Sequence, residues 1–536
     1  MSLPYIPQVY AHAKNGQIAF GGINHNLYAG DGEIYDMQNL TSDYFPLLSP
    51  RSSRKRFTTV TNPLGIHAND DLYWVDDGKL YINGTEVEDP YGFKKTPKTI
   101  VSIGNYVTVW PDAKAYDKTT QKIVSLKGTH IFESVEIANG TYAGEKAEAN
   151  TIDTKLPNVS NLLRPGDAVF FSGIDDYLST PTSALIIREI DGSKLVFYEN
   201  TFIKTGTATN VTISRSVPEM DFICENENRL WGCKGDTIYA SKLGDPFNWN
   251  VFDGISTDSY AVEVGSAGSF TACWSYLGYP VFFKEDHIYK VYGDRPSNYQ
   301  VMSSASLGVE TGSSKSLAIA GEILFYNSRA GIMAYSGGIP QLVSAPLGIE
   351  HYKNAVAGSD GIKYYVSMQS RDDNWHLYVY DTRYQLWHKE DATRAYGFAW
   401  NGDLFMLTAN TIWACGNIRG NYTEEDEEDQ VQSFVEFGDF IESSPNAKYV
   451  SKFQLRAELY ARCTLTVKIQ YDSGEWEEIA RLWNKKLFGK DEKQSYIIPI
   501  KPRRADHYRL RIEGINDYKI YSLTRVYDNS SELRTK

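Results

Sequence analysis

Short apolar runs joined by polar, glycine-bearing turns recur along this chain, and no other feature limits its fold as strongly. Residues 222–251 give the pattern in full: Phe222-Ile223-Cys224 passes through Glu225-Asn226-Glu227-Asn228 into Leu230-Trp231-Gly232-Cys233. Lys234-Gly235-Asp236 then turns the chain into Ile238-Tyr239-Ala240-Ser241, and Asp245-Pro246 closes the unit. Apolar runs separated by such turns are a hairpin signal. The same grammar appears at Leu72-Tyr73-Trp74-Val75, Asp76-Asp77-Gly78 and Leu80-Tyr81-Ile82. It returns at Thr99-Ile100-Val101-Ser102-Ile103, roughly 35 to 40 residues after Leu64-Gly65-Ile66-His67-Ala68 opens the earlier unit, followed by Gly104-Asn105 and Tyr106-Val107-Thr108-Val109-Trp110. Adjacent units of this length and grammar predict the blades of a β-propeller.

Beyond residue 251 the pattern continues through Tyr279-Pro280-Val281-Phe282-Phe283, Ile323-Leu324-Phe325-Tyr326, Tyr364-Tyr365-Val366 and Leu404-Phe405-Met406-Leu407. About seven units predict six or seven blades over residues 58–127 and 219–422, with a strand of the N-terminal arm (1–57) completing one. Closure matters because an open array leaves sheet edges unpaired. In the arm, Ile18-Ala19-Phe20 is the first strand candidate.

Residues 128–218 interrupt the repeat with an Ala-, Asn- and Thr-rich composition, and hairpin signals such as the turn at Asp191-Gly192 predict a small inserted β-barrel. Residues 423–429 (TEEDEED) read as a solvated linker. Alternating strands over 430–536 predict a C-terminal β-sandwich. The whole is expected to be all-β. Its 38 Tyr, 23 Phe, 11 Trp and 42 Gly suit short strands and many turns, and 536 residues exceed one ordinary core.

Charge and motif narrow the chemistry. A net charge of −13 argues against a general nucleic-acid binder, although an acidic wall around DNA remains compatible with it. The five cysteines (Cys224, Cys233, Cys273, Cys415, Cys463) form no CxxC pair, so they predict packing thiols, with Cys224 and Cys233 facing each other across a turn. Residues 1–4 begin no signal peptide and no apolar run reaches a membrane span, which predicts a protein made and used in a cytoplasm, or released from one by lysis.

No HExxH, nucleophile elbow, P-loop, GxGxxG or calcium loop occurs, so the sequence predicts no catalytic, cofactor-binding or metal-ligating residues. Asp70, Asp77, Asp191, Asp236 and Asp403 fall at turns, where they bond nearby backbone. Tyr471-Asp472-Ser473-Gly474-Glu475-Trp476 shares a little with the Asp-box turn but lacks most of it, and a plain hairpin is expected. Trp74, Trp110, Trp231, Trp274 and Trp400 are expected to pack between blades rather than bind sugars. Arg51-Ser52-Ser53-Arg54-Lys55-Arg56 is the one concentrated basic run, suited to nucleic acid, an acidic neighbour or an intersubunit ion pair.

The order of parts resembles bacteriophage tail proteins, in particular the nozzle or tail-hub (stabilisation) family of short-tailed phages. The resemblance rests on the arm Asp36-Met37-Gln38-Asn39-Leu40-Thr41-Ser42-Asp43-Tyr44-Phe45-Pro46 with Leu47-Leu48 and Pro50-Arg51, on Ala240-Ser241-Lys242-Leu243-Gly244-Asp245-Pro246-Phe247-Asn248-Trp249, and on residues 502–514 (PRRADHYRLRIEG). It implies a virion tail protein without catalytic residues. Six copies would form a ring below the portal and adaptor, pass genomic DNA without reading its sequence, insert into no membrane and carry fibres. The inserted barrel and the C-terminal sandwich, rather than the blades, are expected to make the ring contacts. A receptor- or glycan-binding adhesin is the alternative, and a propeller glycan-degrading enzyme a further one.

Overall fold

The computed structural model describes residues 13–26, 30, 33–89, 92–140, 150–180, 183–198, 201–252, 254–442, 447–486, 488–501 and 503–529. Residues 1–4 and Pro502, which entered the sequence argument, lie outside these. Among the described residues the regular structure is all-β, with β-strands and short 3-10 turns only, and no helix is long and apolar enough to cross a membrane. The chain divides into two compact units, residues 61–314 and residues 1–60 with 315–536.

The 61–314 unit holds four antiparallel four-stranded sheets, each built from consecutive strands, and a closed six-stranded barrel inserted between the second and third. The third sheet contains Phe222–Asn226, Arg229–Lys234, Thr237–Ala240 and Tyr260–Glu263. Its first hairpin turns at Glu227 and Asn228, both with positive φ (49° and 58°), the twist that two-residue hairpins need. Strand Arg229–Lys234 is buried along most of its length, so its apolar side chains are continuous rather than alternating. First strands of successive sheets pack side by side: Thr99–Ile103 lies against Phe222–Asn226, which lies against Ala272–Tyr276. The barrel runs from Gly128–Ala138 to Gly206–Arg215 around its own core, which includes Val135, Ile152, Val169, Phe197 and Val211.

The other unit holds three four-stranded sheets. The last is completed by Lys55–Thr59, which pairs antiparallel with Thr411–Cys415. Beyond them are two five-stranded sheets. One contains Lys448–Leu459, Gln494–Pro499 and Tyr518–Asn529; the other contains Gln432–Phe437, Thr464–Tyr471, Glu477–Trp483 and Tyr508–Ile515. Both feed one core that includes Phe437, Phe453, Leu465, Ile469, Tyr508 and Leu523.

One sequence expectation fails in the arm. The first strand is Ala13–Gln17, paired with Tyr518–Asn529, whereas Ile18-Ala19-Phe20 is irregular. The cause is a distant sheet edge that accepts Ala13–Gln17 in register, which outweighs the local apolar run. Strand Lys55–Thr59 spans residue 57, the expected end of the arm, and adds to a later four-stranded sheet, as expected of an arm strand.

Candidate functional site

The basic run 51–56 folds back on the acidic run 423–429, far away in sequence. Lys55 forms an antiparallel bridge with Glu427, and the Glu428 amide donates to the Arg54 carbonyl at 2.9 Å. Arg51 and Arg54 are both buried, while Arg56 lies 3.7 Å from Asp426 and the Lys55 ammonium sits on Glu427. Arg51 donates through Nη1 and Nη2 to the two oxygens of Glu428 at 2.8 and 3.0 Å, and through Nε to Asn39 Oδ1 at 2.9 Å. Arg54 Nη2 donates to Glu390 Oε2 at 2.6 Å, and its Nη1 lies 2.8 Å from Asp391 Oδ2.

The acidic run stays largely exposed, as expected of a solvated segment, but its Glu427 and Glu428 are tied to the basic run. Arg51 and Arg54 are buried, so they are not presented to nucleic acid or to another subunit. Buried charges must be paired, and these two runs pair with each other and with the end of strand Leu386–Lys389. The protonation equilibria follow. Burial opposes the Arg54 charge, yet the carboxylates of Glu390 and Asp391 hold its pKa well above the ordinary value. Burial likewise opposes ionisation of Asp391 and Glu428, and Arg54 and Arg51 hold both below the usual carboxylate range.

Beside this cluster sits buried His388, whose pKa burial depresses to about 4. Sequence reasoning passed over His388, Glu390 and Asp391 because they follow Trp387 at an ordinary strand end with no local motif. The same holds for a second buried cluster, in which Arg525 Nε and the Tyr508 hydroxyl donate to Glu442 Oε1 at 2.6 and 2.5 Å.

A pH prediction follows with its sign. A histidine with depressed folded pKa is neutral when folded, so below pH 6.5 the unfolded chain binds a proton that the folded chain refuses. Stability is therefore full above pH 6.5 and falls until about pH 4, by roughly 3 kcal/mol per fully buried histidine at 1.36 kcal/mol per unit. His388 and His67, both near 4, contribute in this window. Asp391 and Glu428 add stability above their ordinary values of 3.8 and 4.5, lost only as the pH falls further. Urea titrations from pH 8 to 4 should show decline beginning near 6.5, and His388→Gln should reduce the slope between 6.5 and 4; an unchanged slope would contradict it.

In the 61–314 unit the phrase Ala240–Trp249 anchors the inserted barrel. Asn248 Nδ2 donates to Asp167 Oδ1 at 3.1 Å, and the Ala168 amide donates to Asn248 Oδ1 at 2.9 Å. Asp167 also accepts Arg215 Nη1 at 2.6 Å, and Arg215 Nε donates to the Leu126 carbonyl at 3.2 Å. Both ends of the barrel are thereby tied to the sheets flanking it. Trp249 meets Trp110 edge to face at 6.2 Å, closing the apolar side.

The remaining candidates separate. Trp74, Trp110 and Trp231 are buried and Trp274 is half-buried. Trp400 is 51% exposed, against expectation: in Gly397–Asn401 the buried residue is Ala399, so alternation turns Trp400 outward. Cys224 lies opposite Trp231 and not Cys233; both thiols interact with Cys273 of the next sheet. All five cysteines are free and buried, and burial and neighbouring thiols push Cys224 and Cys273 upward, which suits inert packing.

Asp403 accepts the Arg419 and Gly420 amides at 2.6 and 3.0 Å, while Asp236 pairs with buried Lys284 at 2.8 Å. Asp70 lies 3.3 Å from Lys118 and Asp77 2.7 Å from Lys95, and Asp191 is exposed at the end of Leu185–Asp191. Asp472 and Ser473 take positive φ in the turn after Thr464–Tyr471, and Asp472 Oδ1 accepts the Asp506 amide at 2.8 Å. Among the described residues, no group of three or more His, Cys, Asp or Glu is placed to hold a metal ion. The buried carboxylates Asp167, Asp381, Glu390, Asp403 and Glu442 all accept hydrogen bonds from partners within the chain. Chemically, these clusters hold strands and loops together.

No protein-family model and no curated protein matches the chain. Among solved structures, Raptor of Chaetomium thermophilum aligns at 12% identity and TM-score 0.31, over 69% of this chain and 30% of that one. An exo-β-1,3-galactanase of Phanerochaete chrysosporium aligns at 8% identity and TM-score 0.22, over 55% of this chain and 92% of that one. A puromycin-hydrolyzing peptidase of Mycobacterium tuberculosis aligns at 12% identity and TM-score 0.24, over 62% of this chain and 53% of that one. This chain therefore spans under a third of Raptor, and similarities at these scores assign neither activity nor partner.

Proposed function

We propose that this chain is a structural subunit of a phage tail, a nozzle or hub component around the DNA-ejection channel and a platform for fibres or other tail proteins. On this reading the seven four-stranded sheets are propeller blades, the two five-stranded sheets form a C-terminal sandwich, and copies assemble as a ring, with six expected. The observation that carries it is the succession of parts that the resemblance rests on. An N-terminal arm precedes sheets interrupted by one closed barrel, and two larger sheets follow. The internally satisfied ion clusters support a scaffold role. An acidic wall would suit passing DNA, since a basic one would grip phosphates.

Electron microscopy of the purified chain, or of the particles containing it, tests this: a sixfold ring with an axial channel is the expected image. A chain that stays monomeric at all concentrations and is absent from tails would refute it. Exposed Trp400 supports a second reading, a glycan-binding adhesin. Binding on a glycan array that Trp400→Ala abolishes would favour that reading, and release of reducing sugars would favour a glycan-degrading enzyme.

A further inference from the structure

Residues 477–504, from the start of the strand Glu477–Trp483 to just past Gln494–Pro499, carry eight Lys or Arg against four Asp or Glu, a net of +4 in a chain whose total is −13. The structure brings this stretch to one side of the C-terminal sheets. Glu477–Trp483 and Gln494–Pro499 are the outermost strands of the two five-stranded sheets, and they lie against each other. Each pairs on one side only among the described residues. Lysines alone would be an ordinary guard against edge-to-edge aggregation. That account does not explain the apolar side chains exposed among them: Trp483 at 52%, Phe488 at 84% and Ile497 at 62%. Aromatic anchors amid charges are the composition of a contact surface. Some of these cations already have intramolecular partners, Lys486 with Asp491 at 3.0 Å and Arg503 with Glu477 at 2.9 Å, and Lys485 lies 5.5 Å over the Trp483 ring.

The negative charge is concentrated elsewhere. Residues 61–314 contain 33 Asp or Glu against 21 Lys or Arg, a net of −12, so nearly all of the chain's excess charge lies in the unit that carries the barrel.

We infer that the basic, aromatic-bearing edge of the C-terminal sheets docks onto the acidic 61–314 unit of a second copy of this chain. The contact joins two different surfaces of identical chains, the kind that closes into a ring when its rotation fits. Opposite fields steer the encounter, and Trp483, Phe488 and Ile497 supply the desolvated anchors. The inference rests on the ring reading above and names the surface that makes it.

The test uses the full chain, with mass photometry and sedimentation velocity in 50 mM and 500 mM NaCl. Self-association should weaken at least tenfold on raising the salt. Lys485→Glu/Lys486→Glu should weaken it tenfold or more at low salt, and Phe488→Ser should weaken it at both salts. The circular dichroism and urea midpoints should not move, because these side chains are exposed. A ring that forms equally well in all variants and both salts overturns this interface and leaves the proposed function standing. A wild-type chain that never self-associates overturns both. Binding of phosphatidylserine vesicles or duplex DNA through these lysines, without self-association, assigns the surface to that partner instead and overturns the inference.

Discussion

Arg54→Met is expected to destabilise the unit that contains it by about 3–5 kcal/mol, the cost of removing one member of a buried ion cluster. Methionine keeps most of the aliphatic volume. What it cannot supply is the guanidinium that lies 2.6 Å from Glu390 and 2.8 Å from Asp391. Both carboxylates would then be left in a poorly hydrated site. Hydrogen exchange should accelerate first in Lys55–Thr59 and Leu386–Lys389, the strands beside the cluster. Adding Glu390→Gln to the variant should recover part of the loss by deleting an orphaned charge. Arg56→Met is the control: its side chain is 44% exposed and lies 3.7 Å from Asp426, so it should cost under about 1 kcal/mol. Equal effects of the two substitutions would refute the buried-cluster account.

Arg215→Met is expected to cost about 3 kcal/mol, at the lower end of the same range, and to act on the inserted barrel. Asp167 would lose its charged donor but keep the Arg164 amide at 3.0 Å and Asn248 Nδ2 at 3.1 Å. Asn248→Ala removes a neutral partner and should cost about 1–3 kcal/mol. In both variants amide exchange should rise in Gly128–Ala138 and Gly206–Arg215, the strands that pair to close the barrel. The sheets between Ala318 and Cys415 should exchange as in the wild type. Loss of protection there with the barrel intact would show that Arg215 does not serve as the barrel's anchor.

Hairpins were legible because their signal is local. Glu227-Asn228, Gly235-Asp236 and Asp472-Ser473 announce turns through residues that tolerate positive φ, and the adjacent apolar runs have no helical period. The interruption at residues 128–218 was legible through composition. The ion clusters were not, because their members lie far apart in sequence, Asp167 and Arg215 by 48 residues and Arg54 and Glu390 by 336. From sequence alone, a basic run and an acidic run each look like surface. Trp400 was misplaced for a related reason, since an alternating strand shows which residues share a face but not which face is covered. The basic stretch 477–504 escaped notice because its charges are spread over the strand Glu477–Trp483, the connection after it and residues 501–504, and only the contact of that strand with Gln494–Pro499 gathers them.

The sequence by itself determined the all-β character, the turn positions and the place of the insertion, because period-two alternation and turn chemistry act over a few residues. Tertiary structure alone decided which N-terminal strand completes the last four-stranded sheet, Lys55–Thr59, and that Ala13–Gln17 joins the sheet of Tyr518–Asn529. It also decided that the buried guanidinium groups of Arg51 and Arg54 meet the carboxylates of Glu428 and Glu390 from distant segments. The physical reason is that burying a charge costs several kcal/mol unless a partner meets it, and whether a partner meets it depends on where distant segments come to rest.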